Sequence, residues 1–451
     1  SDSSDSQLAS EYNMGISTIH STKSFYDFLG EDFKSKKAFV CQGSACLCRG
    51  TQDAVIDKLS DKFGAENIGE MICLGRCYEN SAFYYDGQNY SGNDINKLDQ
   101  IVAGKHTSTK YEMKSYADVS FLVEDEVFSS YDDFKDLLQT SFASDKADLI
   151  AILKESGLRG RGGAGFPTGM KWEFCQAQEA SAKYVVCNAD EGDPGAFSDR
   201  YILEEQTLKL LFGMVICGYI IGSKQGFLYI RGEYPESIKA NNDALAKLRE
   251  LGLLGENILG SGFDFDMSVV EGQGAYICGE ETALIASIEG RRAEVDVRPP
   301  FPTVEGLYKK PTVVNNVESL AAVPVIFKLG GESFKKIGNG KSTGTKLISL
   351  DGYFNNPGLY EVDMAAPMDF IIDEIGGGFN DDIKAIQVGG PLGGVVPVDI
   401  LRTLTLDFES FDEGGFLLGH ASFVCIPRSF SAVEYAKHLF AFTAHESCGK
   451  C

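Results

Sequence analysis

The cysteines of this chain are concentrated in two places, and their spacing constrains the fold more than any other feature of the sequence. Of the twelve cysteines, five lie between positions 41 and 77, and two lie at positions 448 and 451. The polar, acidic N-terminal segment does not resemble a secretion signal. Clustered cysteines without such a signal favour metal binding over disulfides. We therefore expect two metal sites, each built from short loops.

The first cluster contains two pairs, Cys41/Cys46 and Cys73/Cys77, and a short apolar run that predicts a strand precedes each pair. Four thiolates on two loops suit a [2Fe–2S] cluster, in which each iron takes two sulfurs. Two alternatives stay open: structural zinc, which prefers closely spaced cysteine pairs, and a redox dithiol, which favours C-x2-C. The spacing favours iron–sulfur.

The charge and hydropathy of the chain exclude several classes of function. The chain has 41 Lys and Arg against 65 Asp and Glu, a net charge of −24. It therefore lacks the basic surface that nucleic acid or anionic lipid requires. The longest apolar run, Leu210 to Gly222, is shorter than the ~20 residues of a membrane span. We expect a cytoplasmic protein that binds no nucleic acid and does not insert into a membrane.

Periodicity divides the chain into units with different predicted structures. Predicted helices and strands alternate over residues 141–335, which is typical of a mostly parallel sheet with helices on its faces. Residues 1–105 predict a small α/β unit, and residues 106–140 a connecting arm. Short β-rich runs follow at 341–400, and a helical pattern begins at Ser429.

A glycine-rich loop at residues 157–169 is the first candidate binding element. It contains a G-x-G-x-x-G pattern beginning at Gly160, and three basic residues accompany it: Arg159, Arg161 and Lys171. Glycines let backbone N–H groups approach a phosphate, and a helix N-terminus favours the anion further. A tight turn is the alternative, because no strand is predicted directly before the loop. The basic residues favour an anion.

Two acidic segments are the next candidates. Residues 188–195 follow a predicted strand and carry three carboxylates, which at a strand's carboxyl end suit ribose hydroxyls or a flavin ring. A solvated acidic turn is the alternative. Glu280 and Glu281 follow a second glycine turn at a predicted helix start, where acidic residues stabilise any helix.

The end of the chain carries a second set of potential metal ligands. On spacing alone, His438, His445, Cys448 and Cys451 favour a zinc site, because a [4Fe–4S] cluster needs two further cysteines. The other histidines are scattered, and we predict no special role for them: His20, His106 and His420.

Four motifs together resemble the NADH-oxidising flavoprotein (51 kDa-type) subunit of respiratory complex I. They lie at 160–172, 187–191, 275–284 and 446–451, in the order found in that family. The first unit resembles a thioredoxin-like [2Fe–2S] ferredoxin. This combination is similar to the diaphorase-type subunits of NAD-dependent or electron-bifurcating hydrogenases and of formate dehydrogenases.

The resemblance implies an α/β multidomain fold. Its expected parts are a thioredoxin-like [2Fe–2S] domain at 1–105, a connecting arm at 106–140, a Rossmann-like FMN- and NADH-binding domain at 141–335, a β-grasp module at 341–415 and the start of a helical [4Fe–4S] domain at 425–451.

The resemblance also implies roles for individual positions. FMN would be lined by Gly160, Gly162, Lys171, Asn188, Asp190, Glu191, Tyr276, Gly279, Glu280, Asn315 and Asn316. The nicotinamide nucleotide would be held by Phe166, Glu281 and Phe301, and the candidate catalytic residues are Glu281 and Asp193. The [2Fe–2S] ligands would be Cys41, Cys46, Cys73 and Cys77. Cys448 and Cys451 would begin a [4Fe–4S] ligand set that is completed beyond residue 451, which displaces the zinc interpretation.

Two positions depart from the family pattern and leave the choice between NAD and NADP open. Asp193 stands where respiratory members carry Glu, and Arg298 stands where they carry Lys. Asp193 is what we expect of the hydrogenase-type branch.

The predicted function follows from the electron count. NADH gives up two electrons as one hydride, whereas an iron–sulfur cluster accepts one, and a flavin can divide the pair. We expect an NADH dehydrogenase subunit that passes electrons from FMN to a hydrogenase subunit, with a 24 kDa-like [2Fe–2S] subunit and ferredoxin as further partners. A formate dehydrogenase or complex I-like subunit is one alternative. A non-catalytic cluster or zinc scaffold is another, and a preparation without flavin absorbance would favour it.

Overall fold

Three β-sheets organise the computed structural model, which describes residues 4–108, 111–124 and 128–450. The strands are β1 Ala38–Cys41, β2 Ile68–Met71, β3 Phe83–Tyr85, β4 Gln88–Tyr90, β5 Glu112–Ser115, β6 Tyr184–Ala189, β7 Gln225–Ile230, β8 Asp266–Glu271, β9 Thr312–Asn316, β10 Thr345–Leu350, β11 Gly358–Asp363, β12 Ile383–Val388, β13 Gly394–Pro397 and β14 Ser422–Pro427. The α-helices are α1 Asp5–Glu11, α2 Ile16–Phe25, α3 Glu31–Lys34, α4 Ser44–Arg49, α5 Gln52–Phe63, α6 Leu98–Val102, α7 Tyr131–Phe142, α8 Lys146–Glu155, α9 Thr168–Gln176, α10 Ser198–Glu205, α11 Thr207–Ile221, α12 Pro235–Glu250, α13 Glu281–Ile288, α14 Val317–Ala321, α15 Val323–Leu329, α16 Gly331–Lys335, α17 Met368–Phe370, α18 Val398–Leu401, α19 Phe408–Glu413 and α20 Ala432–Glu446.

The first sheet has the strand order β2-β1-β3-β4. β1 and β2 are parallel, and β3 and β4 form an antiparallel hairpin. Asp86 and Gly87 connect the hairpin with φ values of 47° and 75°, the left-handed backbone that a two-residue type I′ turn requires. Cys41 ends β1, Cys46 lies on α4, and Cys73 and Cys77 lie in the loop after β2.

The second sheet is entirely parallel, with the order β8-β7-β6-β9. This confirms the sheet predicted for residues 141–335. Helix α11 is buried along nearly its whole length, as its continuous apolar sequence requires. All four strands end at one edge of the sheet, so the loops that follow them lie together.

The third sheet has the order β13-β12-β14-β10-β11-β5 and collects strands from distant parts of the chain. β5 comes from residues 106–140, where we expected only a connecting arm, and it pairs in parallel with β11. β14 was not predicted, although it lies between β12 and β10 in the sheet. The pairing of β5 with β11 and that of β14 with β10 and β12 cannot be predicted from local sequence patterns, because the paired strands are far apart in the chain.

The units share buried contacts. Cys48 of the first unit is buried in the core of the third sheet. Lys346 on β10 forms a fully buried ion pair with Glu318 on α14, and the Glu318 carboxylate also accepts the N–H of Leu347 at 3.0 Å. The fold is thus mixed α/β with several sheets, as expected. In the described part of the chain, no helix combines the length and apolar character needed to cross a membrane.

Candidate functional site

The carboxyl ends of β6 and β9 lie side by side and carry polar residues that the sequence singled out. Asn188 is in register with Asn316. The Asn188 side-chain nitrogen donates to the carbonyl of Gly279 at 2.8 Å, and Asn315 Oδ1 accepts the indole N–H of Trp172 at 2.8 Å. Ligands of open parallel sheets bind in a crevice at this edge. We call the edge around Asn188 and Asn316, with the loops that border it, the crevice.

The glycine-rich loop connects α8 to α9 and packs against the same edge. The N–H of Gly160 donates to the carbonyl of Phe166 at 2.9 Å, which closes the loop. A Cβ at Gly162 would lie only 3.0 Å from Cβ of Asn316. On α9, Lys171 Nζ donates to a main-chain oxygen of β9 at 2.9 Å. The loop therefore brings bare backbone to the edge, and α9 brings an ammonium group.

Asp190 and Glu191 follow β6 directly but have different surroundings. The Glu191 carboxylate accepts the N–H groups of Asp199 at 2.9 Å and Arg200 at 3.0 Å, at the start of α10. Burial, and then the charge of Asp199, raise the pKa of Glu191 to about 7. Burial also raises the pKa of Asp190 well above its usual value. Glu191 thus fixes the loop, whereas Asp190 Oδ2 has no hydrogen-bond partner among the described residues.

Asp193 belongs to a network of polar side chains. The Tyr276 hydroxyl donates to Asp193 at 2.6 Å, and His420 Nδ1 lies 3.5 Å from the other Asp193 oxygen. His420 Nε2 lies 3.3 Å from Asp199, which also accepts the Asn316 side-chain N–H at 2.7 Å. This network joins three of the predicted site residues.

Glu280 and Glu281 begin α13 in different ways. Glu280 accepts the first free N–H groups of the helix at 2.9 and 3.0 Å, so it caps the helix. Glu281 Oε1 accepts a hydrogen bond from Arg298 Nη1 at 2.7 Å, and Glu281 Oε2 lies 3.7 Å from Lys171 Nζ. Glu281 thus holds two cations beside the crevice.

The two aromatic residues predicted for the nucleotide, Phe166 and Phe301, are 43% and 55% exposed. The Phe166 ring centroid lies 6.4 Å from that of Phe174. Large apolar rings left exposed in this way are available to stack on a planar ligand.

The four clustered cysteines are buried free thiols, at the end of β1, on α4 and in the loop after β2. Sγ of Cys73 lies 3.6 Å from Sγ of Cys77, close to the separation of about 3.8 Å for two thiolates on one tetrahedral metal with bonds of about 2.3 Å. A hydrogen bond with Cys46 is the main cause that lowers the pKa of Cys41 to about 7. The thiols thus form two adjacent pairs, which fits a [2Fe–2S] cluster.

The loop after β2 touches the edge of the parallel sheet directly. The N–H of Gly195 donates to Sγ of Cys77 at 3.3 Å. The Arg231 guanidinium donates to the carbonyl of Glu191 at 2.5 Å and to that of Ile72 at 2.8 Å. One loop therefore borders both the crevice and the thiols.

The end of α20 approaches the crevice from another side. Glu446 accepts the main-chain N–H of Tyr276 at 2.9 Å, and burial raises the pKa of Glu446 to about 7. Cys448 follows and is buried. Cys451 lies outside the described residues.

The zinc alternative based on His438 and His445 has little geometric support. His445 groups with Asp27 and Glu446, whose potential ligand atoms all lie within 4.8 Å of one another. Within the described ranges, neither His438 nor Cys448 joins that group.

The crevice residues fit a flavin nucleotide. Asp190 Oδ2 and Asp199 Oδ1 are buried without a hydrogen-bond partner in the described part of the protein. Because buried acceptors are normally satisfied, they suit hydroxyl or N–H donors of a ligand. The glycine backbone and Lys171 suit its phosphate.

Several residues of the site were missed by sequence reasoning. His420 and Asp199 gave no signal, because their partners are distant in the chain. Arg231 directly follows β7 and could have been found from its position at a strand end. Glu446 lies two residues before Cys448, inside the motif at 446–451, but no role was predicted for it.

Comparisons with known proteins agree with this geometry. Residues 153–325 match the family described as the Nuo51 FMN-binding domain. An NADH-quinone oxidoreductase subunit of Rhizobium meliloti (strain 1021) is 46% identical over 306 residues, 67% of this chain and 72% of that protein. The NADP-reducing hydrogenase subunit HndC of Solidesulfovibrio fructosivorans is 47% identical over 307 residues, 68% of this chain and 62% of that protein.

A solved structure extends the similarity to the whole chain. A chain in the crystal structure of an NAD⁺-reducing [NiFe]-hydrogenase in the air-oxidised state superposes with a TM-score of 0.84 and 27% identity, over 100% of this chain and 79% of that one.

The parallel sheet, its glycine loop and the family match define an FMN-binding flavoprotein of the oxidoreductase class. The chain belongs to the family of 51 kDa-type flavoprotein subunits of NADH-quinone oxidoreductase, and it is an oxidoreductase subunit of the NADH dehydrogenase (diaphorase) type.

Proposed function

We propose that this chain is the NAD(H)-reacting subunit of a hydrogenase-type complex, in which it takes hydride from NADH and delivers electrons singly to iron–sulfur clusters. The observation that carries the proposal is the contact between Gly195, in the loop after β6, and Cys77. This contact joins the proposed flavin crevice to the proposed cluster without an intervening element.

The edge of the parallel sheet would hold FMN through the glycine backbone at Gly160 and Gly162, the ammonium of Lys171 and the polar groups of Asp190 and Asn188. When bound, FMN supplies the conversion of one hydride into two single electrons. The remaining proposed FMN residues support these groups: Glu191, Tyr276, Gly279, Glu280, Asn315 and Asn316.

The nucleotide would lie beside the flavin, between the exposed rings of Phe166 and Phe301. Glu281 would set the position of Arg298, whose charge favours the anionic diphosphate of the nucleotide. Asp193, held by the Tyr276 hydroxyl, is the second candidate at the reacting end. Hydride transfer itself needs no acid or base from the protein.

The [2Fe–2S] cluster would be held by Cys41, Cys46, Cys73 and Cys77, and Cys448 and Cys451 would contribute to a [4Fe–4S] cluster. The first sheet would then be a thioredoxin-like domain within 1–105, the second a Rossmann-like domain within 141–335 and the third a β-grasp module around 341–415. Residues 425–451 would begin the helical cluster domain. Buried free cysteines support a reducing, cytoplasmic location.

The similarity to HndC and to the NAD⁺-reducing hydrogenase supports a hydrogenase subunit as the partner. A 24 kDa-like [2Fe–2S] subunit would be a further partner. The similarity to the NADH-quinone oxidoreductase relatives keeps a complex I-like assembly as the second candidate. The equivalent subunit of a formate dehydrogenase is the third candidate. Electron bifurcation would appear as NADH-coupled reduction of ferredoxin in the assembled complex.

The proposal is tested by adding FMN to purified protein and measuring NADH-dependent reduction of an artificial electron acceptor. We expect about one FMN per chain and activity that depends on FMN. A colourless protein that binds no flavin and reduces no acceptor would instead favour the non-catalytic scaffold.

A further inference from the structure

His420 is a buried histidine that reaches from one unit of the protein to another. It lies just before β14, in the unit of the third sheet, and its side chain is only 13% exposed. Its partners belong to the unit of the second sheet. Asp193 follows β6, Asp199 lies in the first turn of α10, and Asn316 is the last residue of β9. The imidazole thus spans the border between the two units at the proposed flavin crevice.

Both ring nitrogens of His420 face carboxylates. Nδ1 lies 3.5 Å from Asp193 Oδ2, and Nε2 lies 3.3 Å from Asp199 Oδ2. The side-chain nitrogen of Asn316 also lies 3.2 Å from Nε2. A neutral imidazole has one N–H and one lone pair, so it donates to only one carboxylate, and on Nε2 its lone pair accepts the Asn316 N–H. An imidazolium donates from both nitrogens and satisfies both sides.

We propose that His420 is a positioning residue of the flavin site, which as an imidazolium holds Asp193 and Asp199 together and so fixes the edge of the crevice. Each carboxylate in turn accepts a hydrogen bond from a predicted flavin residue and holds that residue in place. Asp193 accepts the Tyr276 hydroxyl at 2.6 Å, and Asp199 accepts the Asn316 side chain at 2.7 Å. This inference rests on the proposed function, because it concerns the affinity for FMN.

The charge balance around the ring agrees with this role. The charged groups that face it are Asp193 from the loop after β6, Asp199 from α10 and, at longer range, Glu191. Burial alone would lower the pKa of His420, but the hydrogen bonds and charges of Asp193 and Asp199 raise it well above its usual value. The two carboxylates therefore favour the imidazolium form of His420, and this form is lost as the pH rises through the raised pKa of His420.

The test measures the dissociation constant of FMN for the full chain by flavin fluorescence between pH 6.5 and 9. We expect His420→Gln to weaken FMN binding about tenfold at pH 7, because it removes hydrogen bonds to charged groups. The control is His106→Gln, which removes a comparably buried histidine (12% exposed) that lies 2.7 Å from Asp94 in the first unit. This control should leave FMN binding unchanged.

A second variant distinguishes a positioning role of His420 from a general effect on the stability of the protein. Asp193→Asn removes one of the two carboxylates that stabilise the imidazolium, so FMN affinity should begin to fall at a lower pH than in the wild-type protein. His420→Gln binding within twofold of wild type at pH 7, or an Asp193→Asn pH profile that coincides with the wild-type profile, would overturn the inference. A wild-type protein that binds no FMN would instead refute the proposed function.

Discussion

The main-chain N–H of Gly195 donates a hydrogen bond to Sγ of Cys77 across a distance of 3.3 Å. Gly195 closes the loop that begins with Asp190 at the proposed flavin crevice, and Cys77 is a proposed cluster ligand. Hydrogen bonds to cysteine sulfur help to set the reduction potential of iron–sulfur clusters. This contact therefore links the position of the crevice loop to the properties of the cluster.

Replacing Gly195 with alanine should disturb both sites at once. Gly195 has φ +101°, and a Cβ there would lie 2.5 Å from Cγ2 of Val424. We expect weaker FMN binding and a more negative potential of the [2Fe–2S] cluster, measured by fluorescence and by EPR-monitored titration. The control Gly222→Ala, at φ +79° in open space, should cost only about 1 kcal/mol of stability. If both variants changed FMN binding and the cluster potential to the same extent, the link between the crevice loop and the cluster would be contradicted.

Glu281→Gln should weaken nucleotide binding. The change keeps the shape of the side chain but removes the charge that holds Arg298 at 2.7 Å and Lys171 at 3.7 Å. We expect the KM for NADH to rise about tenfold at saturating FMN, which corresponds to the loss of one charge-assisted contact. The exposed Glu250→Gln, paired with Lys247, serves as the control. An unchanged KM and kcat would show that the role proposed for Glu281 is wrong.

The buried pair of Lys346 and Glu318 should be important for stability. Lys346→Met leaves the Glu318 carboxylate buried without its partner, which costs about 3–5 kcal/mol. The double variant Lys346→Met, Glu318→Leu should be more stable than Lys346→Met alone. Urea unfolding followed by circular dichroism measures both, and Lys437→Met, which breaks an exposed pair, should cost less than about 1 kcal/mol. A double variant no more stable than the single one would contradict this account.

Stability should fall as the pH rises from 5 to 8, in part because of Asp351. Burial raises the pKa of Asp351 to about 7 from its usual 3.8. The folded protein therefore holds this proton more tightly than the unfolded chain, so the contribution is complete below pH 3.8 and is lost as the pH rises through 7. Asp351→Asn should flatten the pH dependence of the thermal unfolding temperature, whereas the exposed Asp381→Asn should not. Parallel curves for Asp351→Asn and wild type would refute the assignment.

The sequence predicted those parts of the fold that depend on local patterns. The apolar strands β6 and β7, separated by helices, indicated the parallel sheet, and the polar residues after β6 indicated its functional edge. β14 and β5 were missed because each pairs with strands distant in the chain, and a short apolar or polar run does not specify such a partner. Local periodicity thus identified the units but not their assembly.

In the candidate site, too, the sequence predicted the residues that lie in local motifs but not those whose role depends on distant parts of the chain. Asn188, Asp190 and Lys171 were recognisable because they lie in motifs at element ends. His420 was not recognisable, because its role depends on two carboxylates supplied by another unit. The resemblance to a known family assigned residue roles that spacing left open, and those roles stay predictions until they are measured.

The most direct test of the central claim is EPR spectroscopy of the FMN-loaded protein after anaerobic addition of NADH. The account predicts bleaching of the flavin absorbance together with the signal of a reduced [2Fe–2S] cluster. It further predicts that Cys77→Ser loses or alters that signal while FMN stays bound. NADH that reduces neither flavin nor cluster, or a [2Fe–2S] signal unchanged in Cys77→Ser, would contradict the account.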